Sequence, residues 1–167
     1  MNIKQHLSTL TQYHSWAFQR LYEYLESVSE ADYRRECGLF FKSIHGTLNH
    51  SLLADKIWYG RCISQPFTVS GLDEELCSDR KQLETEIKNQ TAKWNEFVLQ
   101  IDENKLENLI EYRTTEGGEK SLQLAYILSH TVNHGTHHRG QVSAALTQFG
   151  YPAPEIDLPF FIAAQNQ

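Results

Sequence analysis

Apolar residues recur at spacings of three and four along four long stretches of the chain, a spacing that places side chains on one face of an α-helix. The first stretch predicts a helix that ends near Ser29–Glu30, before a less periodic segment at 31–42. The second stretch predicts a helix from Ser43 to about Ile63. This second helix is apolar on more than one side, so we expect it to be buried against several neighbours.

The third and fourth stretches follow a loop that carries Pro and Gly at 64–71. The third predicts a helix over about 73–101, and the fourth a helix over about 121–149. Ser121 is a candidate N-cap of the fourth helix, and Gly150 follows its end as a common terminator. Four long helices with few strands indicate an all-α protein built as a four-helix bundle.

Two segments lie outside these helices. Between 102 and 121 the pattern alternates weakly and contains Gly117–Gly118, which predicts a short hairpin or irregular segment before the last long helix. The tail from Tyr151 carries three prolines and one short apolar patch, which we expect to pack back on the bundle. The length of 167 residues predicts one domain over 1–167, with a core large enough to fold unaided.

The composition narrows the class of protein. The formal charge is −6 and no basic stripe is present, which argues against a nucleic-acid partner. No apolar run approaches the roughly 20 residues that span a bilayer, and the N-terminus lacks the apolar core of a signal peptide. The three cysteines form no CxxC pair, which argues against a disulfide framework. We therefore expect a cytoplasmic protein without nucleic-acid or membrane partners.

The chemistry of the chain is concentrated in the fourth predicted helix, where HTVNHGTHHRGQ (130–141) holds four of the eight histidines. His134 and His138 are four residues apart and lie on the face that flanking apolar residues mark as buried. A buried imidazole costs about 1–3 kcal/mol when its polar group is unsatisfied. A divalent metal ion would supply the missing interaction, and hydrogen bonding within the core is the alternative. Gly135 in place of Glu disfavours a protease of the HExxH type.

A catalytic metal site needs a third protein ligand, because catalytic zinc usually takes three and keeps one position open. The second helix offers His45 and His50, which lie about 140° apart by helical rotation and cannot both face one ion. His50 shares an apolar stripe with Leu53 and Ile57, so it is the expected third ligand.

The chain resembles the DinB family, also described as DinB/YfiT-like metalloenzymes, over nearly its whole length. The resemblance implies an up-down-down-up four-helix bundle, usually assembled as a homodimer. It also implies a metal ion held by three histidines, which map onto His50, His134 and His138. The expected cofactor is one divalent ion per chain, zinc or nickel. The resemblance rests on YHSWAFQRLY (13–22), FFKSIHGTLNHSLLADKIW (40–58), HTVNHGTHHRGQVSAALTQFG (130–150) and DLPFF (157–161).

Two further histidines are candidates for catalytic roles. His14 replaces the first Asn of the family's Tyr-Asn-x-Trp-Ala-Asn motif, and it either lies near the metal and substrate or is a hydrogen-bonded core residue. His130 either supports a ligand or contacts substrate, or it is structural. Asp55 is expected in a solvated ion pair. Gly135 and Gly140 are expected to permit a close approach between helices.

A three-histidine divalent site with an open position can polarise a carbonyl, activate water or convert a thiol to its thiolate. The first hypothesis is therefore a metal-dependent enzyme acting on a small molecule, either a hydrolase or a thiol-dependent transferase that uses a low-molecular-weight thiol. Bundle families that resemble this one include thiol S-transferases and a thiol-dependent isomerase. The alternative hypothesis is a non-catalytic metal-binding stress-response protein, in which a fourth protein ligand closes the site.

Overall fold

The structure is a computed structural model that describes residues 1–114 and 117–165. Within this part of the chain the protein is mostly helical and has one antiparallel two-stranded sheet. In chain order the elements are α1 (Ile3–Leu25), α2 (Glu30–Arg34), α3 (Ile44–Cys62), α4 (Arg80–Gln100), a 3-10 helix (Glu103–Glu107), β1 (Leu109–Arg113), β2 (Glu119–Gln123), α5 (Leu124–Gln148) and α6 (Leu158–Gln165).

The four long helices pack against one another around a common core. α1 contacts α4 and α5, and α3 contacts the same two helices. Each long helix therefore has two long neighbours, which is the contact pattern that a four-helix arrangement requires. The helix-rich architecture is confirmed, and the up-down-down-up order of the helices stays a prediction.

Short polar side chains set the start of three long helices. Asn2, Ser43 and Asp79 each accept a hydrogen bond from a backbone N–H in the first turn of α1, α3 and α4 respectively. Such an N-cap contributes about 1 kcal/mol because it satisfies a donor that the helix leaves unpaired. The prediction that the second helix follows Ser43 is confirmed.

Two predicted helix limits are wrong, and capping explains both. The first long helix ends at Leu25, because Ser29 caps the separate short helix α2 within the segment that lacked periodicity. The third long helix begins at Arg80 rather than near residue 73, because Asp79 caps it. Leu76 therefore precedes the helix and packs against the core from a loop.

The predicted start of the last long helix is also wrong. Ser121 is a residue of β2, paired across the hairpin with Glu111, and α5 follows three residues later without a side-chain cap. The predicted hairpin before this helix is confirmed. Gly150 ends α5 with φ of +82°, a left-handed conformation that glycine adopts without strain.

The tail packs back on the long helices, as predicted. Phe161 of α6 is buried, and its ring centroid lies 6.1 Å from that of Tyr13 and 5.7 Å from that of Trp16 on α1. Of the helices that the structure describes, none combines the length and the apolar character needed to cross a membrane.

The core contains two large apolar clusters with a polar level between them along the helices. One cluster includes Leu21, Leu48 and Leu146, and the other includes Leu7 and Leu128. The residues between these positions on α1, α3 and α5 supply most of the polar side chains discussed below. The buried ones are His14, His50, Asp55, His138 and Arg139.

Candidate metal centre

Three histidine side chains from two helices converge on one point. The Nε2 atom of His134 lies 3.3 Å from Nε2 of His50 and 3.1 Å from Nε2 of His138. Ligand atoms of the three residues all lie within 4.8 Å of one another. The sequence predicted that these three histidines would come together, and the structure brings them together.

The outer nitrogens of two of these rings are fixed by carbonyl oxygens. Nδ1 of His50 lies 2.8 Å from the backbone oxygen of Leu72, and Nδ1 of His138 lies 2.7 Å from Oε1 of Gln141. A carbonyl oxygen only accepts, so Nδ1–H must donate in both contacts. In the neutral ring this leaves Nε2 of His50 and of His138 without a proton and with its lone pair directed at the cluster.

The cluster therefore has more lone pairs than protons. A neutral His134 could donate at most one N–H to the two unprotonated Nε2 atoms that face it. Converging acceptors without donors are unfavourable in a protein interior and favourable around a cation. Fixing the outer nitrogen by a carbonyl is also how proteins orient histidine ligands. The donor set fits a divalent metal ion.

The surroundings keep the cluster uncharged. Burial lowers the pKa of His134 to about 3, with further lowering from the neighbouring histidines. Burial also lowers the pKa of His138 to about 4, although its hydrogen bond with Gln141 opposes this shift. The pKa of His50 is lowered by burial as well. Neutral imidazole is the form that binds metals, so the rings are held in the ligating state at neutral pH.

An aromatic ring supports the cluster from one side. Phe41 stacks on His50 with ring centroids 3.7 Å apart and an angle of 14° between the planes. The same ring meets His138 edge-on at 5.7 Å. Phe41 therefore restricts the orientation of two of the three imidazoles.

The histidine cluster forms part of the wall of a cleft of about 730 Å³. Aromatic and basic residues form much of the remaining wall, including Trp58, Arg61, Tyr112 and Lys120. No carboxylate lines this cleft among the residues that the structure describes. A ligand in the cleft would meet five imidazoles, aromatic rings and two cations.

His130 and His137 lie at the edge of the cluster. The ring of His130 lies 5.5 Å from that of His134 and 5.1 Å from that of Trp58, and burial lowers its pKa. His137 is exposed and lines the cleft, in agreement with a place at the rim. Neither is in the three-residue ligand group, and both are positioned to contact a bound molecule.

His14 belongs to a separate buried network, which packs against a different face of α5. The guanidinium of Arg139 donates to Nδ1 of His14 at 3.1 Å, so the proton of this ring lies on Nε2 and is donated to Oδ2 of Asp55 at 3.0 Å. His14 and Arg139 are each only 1% exposed. Of the two interpretations of His14, these contacts favour the core residue.

The expectation of a solvated ion pair for Asp55 is wrong. Asp55 is buried and pairs with His14 of the neighbouring helix α1. Its position about 140° around α3 from His50 directs it away from the histidine cluster and toward α1. Sequence reasoning also missed Arg139, whose buried charge has no signal in the apolar periodicity.

Gly135 is the point of closest approach between α5 and this network. A Cβ atom at this position would lie 2.3 Å from Cε1 of His14 and 2.9 Å from NH1 of Arg139. The expected close approach is confirmed for Gly135. It is wrong for Gly140, where a Cβ atom would have no neighbour within 4 Å among the described residues.

His45 lies apart from the cluster, as the helical rotation predicted. Its Nε2 atom lies 3.3 Å from Oε1 of Glu75, and its ring packs against Tyr33. Burial lowers the pKa of His45. This histidine has an acidic neighbour, whereas no described carboxylate lies within 4 Å of the three clustered histidines.

Helix packing and convergent imidazoles define a helix-rich protein with a site that could hold a metal ion. The sequence model of the DinB family matches residues 1–167, and the chain belongs to the DinB family. It is 26% identical over 159 residues to Protein DinB of Bacillus subtilis strain 168, covering 92% of this chain and 91% of that protein. The fold is similar to a crystal structure of a protein from Enterococcus faecalis, with a TM-score of 0.68, 14% identity and coverage of 87% and 95% of the two chains.

Proposed function

We propose that this chain is a metal-dependent enzyme in which His50, His134 and His138 hold one divalent ion, zinc or nickel. The observation that carries the proposal is the convergence of three Nε2 atoms, two of them unprotonated, at the wall of an open cleft. When bound, the ion would act as a Lewis acid and would lower the pKa of a thiol or a water molecule in the cleft.

The open cleft favours an enzyme over a structural metal site. Structural zinc sites are closed by a fourth protein ligand, whereas catalytic sites keep one position free. Among the described residues the candidate ligand group contains three members, and neither His130 nor an acidic side chain joins it. A fourth position would therefore be available to a small molecule that enters the cleft.

Within the enzyme hypothesis we favour thiol-dependent transfer to a small electrophile. The residues of this chain that face the cleft include no carboxylate, so a base of that kind is missing from its described wall. A thiol whose pKa is lowered on binding would release its proton to solvent water without such a base, and aromatic residues such as Trp58 and Tyr112 would hold an apolar electrophile. The thiol would be a low-molecular-weight compound.

A hydrolase is the second candidate, and His130 is the observation that favours it. This ring lines the cleft beside His134, and its lowered pKa keeps it able to accept a proton from water. Histidine is the commonest general base, and its geometry relative to substrate decides its competence. His14 is a weaker candidate, because it is buried and both of its ring nitrogens are engaged.

The family resemblance supports a homodimer as a further proposal, and the three cysteines without a CxxC pair support a cytoplasmic location. The non-catalytic metal-binding stress-response protein remains the alternative function. It predicts a metal ion that no small molecule can reach.

Metal analysis and a cobalt spectrum test the proposal together. The purified wild type should contain about one divalent ion per chain, and His134→Ala should contain almost none because it removes the central ligand. His6→Ala, a change of an exposed histidine on α1, is the matched control and should keep the metal. The spectrum of the cobalt-loaded protein should shift when mercaptoethanol is added.

The possible outcomes separate the hypotheses. Equal metal content in His134→Ala and the wild type would contradict the ligand assignment. A stoichiometric cobalt ion whose spectrum responds to neither thiol nor imidazole would favour the closed, non-catalytic site. A response to imidazole but not to thiols would favour the hydrolase.

A further inference from the structure

Arg61 is a cation of the cleft wall that aromatic rings hold in place. It lies near the end of α3, and its guanidinium carbon is 4.3 Å from the ring centroid of Trp58 and 4.4 Å from that of Tyr112. One guanidinium nitrogen donates to the backbone oxygen of Arg113 at 3.0 Å. Packing against two rings and a backbone hydrogen bond restrict the orientation of this side chain.

The charge of Arg61 has no acidic partner in the part of the chain that the structure describes. The ion pairs among the described residues join carboxylates to other basic residues, and none of them includes this guanidinium within 4 Å. The side chain is half-buried, and burial lowers its pKa. A partly desolvated cation without a counter-ion is unfavourable unless a ligand supplies the negative charge.

Lys120 adds a second cation to the same wall. It lies directly opposite Tyr112 in the hairpin, so their side chains leave the same face of the sheet. Lys120 lines the cleft and has no described carboxylate within 4 Å. The hairpin and α3 thus present two unpaired cations to one cleft.

The charge of the cleft is opposite to that of the whole chain. The protein has 21 acidic and 15 basic residues, yet the described residues that line the cleft include two cations and no acid. A cleft of one sign attracts ligands of the other sign and raises their local concentration. The positive charge of the cleft therefore favours an anionic ligand.

We propose that Arg61 and Lys120 form a subsite for a carboxylate of the small molecule whose reactive group lies at His50, His134 and His138. The guanidinium favours this group because its planar N–H fork matches the two oxygens of a carboxylate. The inference rests on the proposed function, because the histidine site anchors the other end of the ligand. It makes the ligand class an organic acid that carries a thiol or another metal-binding group.

Matched pairs of ligands test the subsite with the cobalt-loaded protein. The pairs are mercaptopropionate with mercaptopropanol and mercaptohexanoate with mercaptohexanol, which differ in the carboxylate and in the length of the spacer. Dissociation constants are measured from the cobalt spectrum. At one spacer length or both, we expect the acid to bind the wild type at least tenfold more tightly than its alcohol.

Arg61→Gln should reduce this preference about tenfold and leave the binding of the alcohol unchanged, while Lys120→Gln should reduce it less. Arg113→Gln removes the same charge from an exposed neighbour outside the cleft, and it should keep the full preference. Circular dichroism and cobalt stoichiometry show whether each variant is folded and loaded.

The failures are distinguishable. If cobalt does not bind at all, the proposed function fails and the inference fails with it. If thiols bind but acids and alcohols bind equally, or if Arg61→Gln and Arg113→Gln reduce the preference equally, the inference alone is overturned. If cobalt binds but no thiol responds, imidazole and imidazoleacetate form the deciding pair. Equal affinity for those two ligands would then overturn the subsite.

Discussion

Two histidine-containing groups share α5, and they differ in whether their histidines have ring nitrogens available to bind a ligand. Arg139 directly follows His138 in the chain, but the two side chains belong to different groups. The cluster around His138 has neutral rings, unprotonated Nε2 atoms and an open cleft beside it. The group around Arg139 joins the carboxylate of Asp55, the ring of His14 and the guanidinium of Arg139 in one buried network.

The difference shows that burial alone does not identify a metal ligand. His14 is 1% exposed and His50 is 6% exposed, so the histidine outside the cluster is the more buried of the two. Arg139 and Asp55 use both ring nitrogens of His14, which leaves no lone pair for an ion. What distinguishes the cluster is a surplus of acceptors that the protein itself does not satisfy.

The largest expected effect is on metal content, when one histidine of each group is replaced in separate variants. His50→Ala should reduce the metal content from about one ion per chain to almost none, because two ligands bind far more weakly than three. His14→Gln should keep the full metal content, since His14 contributes no ligand atom. Elemental analysis after dialysis measures both, with His6→Ala as the exposed control.

The opposite changes in metal content would contradict this distinction between the two groups. Loss of metal in His14→Gln with helix content intact would mean that the buried network also holds the ion or its ligands. Retention of metal in His50→Ala would remove this histidine from the ligand set.

The next effect concerns the charge of the buried network. Arg139→Met removes the buried cation that faces Asp55 across His14, and leaving a buried charge uncompensated in this way costs about 3–5 kcal/mol. Arg20→Met removes the same type of side chain from an exposed, solvent-screened pair with Glu23 and should change the free energy of unfolding far less. Urea unfolding of the metal-free proteins measures the difference in free energy of unfolding.

A partial recovery of stability would support the charge explanation. Adding Asp55→Asn to Arg139→Met removes the negative charge that no buried cation then balances, so the double variant should be more stable than Arg139→Met alone. If the two losses were additive, the network would act through packing rather than through charge.

A smaller effect on the free energy of unfolding is expected when two glycines of α5 are replaced by alanine. Gly135→Ala would put Cβ 2.3 Å from Cε1 of His14, so the network must shift, at a cost of about 1–3 kcal/mol. Gly140→Ala meets no described atom within 4 Å and should stabilise α5 by up to about 1 kcal/mol. Urea unfolding should give changes of opposite sign, and two changes of the same sign would contradict the close contact.

The sequence predicted the long helices because their apolar periodicity extends over many residues. It failed at their limits, where single residues decide. Ser29 and Asp79 begin new helices by capping, and Ser121 pairs across a hairpin instead of capping α5. Capping and strand pairing are local hydrogen-bond choices that hydrophobic periodicity does not record.

The sequence also predicted the three clustered histidines, from their spacing and from the apolar residues beside them. It did not predict the contacts that cross between helices. Asp55, His14 and Arg139 come from three different helices, and their pairing depends on how those helices are rotated. The partner of His50 is a backbone oxygen of a loop, for which residue type gives no signal. Gln141 could have been found, because it lies one helical turn from His138.

The smallest expected effect sharpens the role of Gln141. Gln141→Leu removes the acceptor for Nδ1–H of His138, so the ring is less well oriented and less basic, and the metal affinity should fall about tenfold. Gln148→Leu makes the same change at an exposed position of α5 and should leave the affinity unchanged. Competition with a chelator of known affinity measures both. If Gln141→Leu bound metal as tightly as the wild type, the stacking partner Phe41 would be sufficient to orient the cluster.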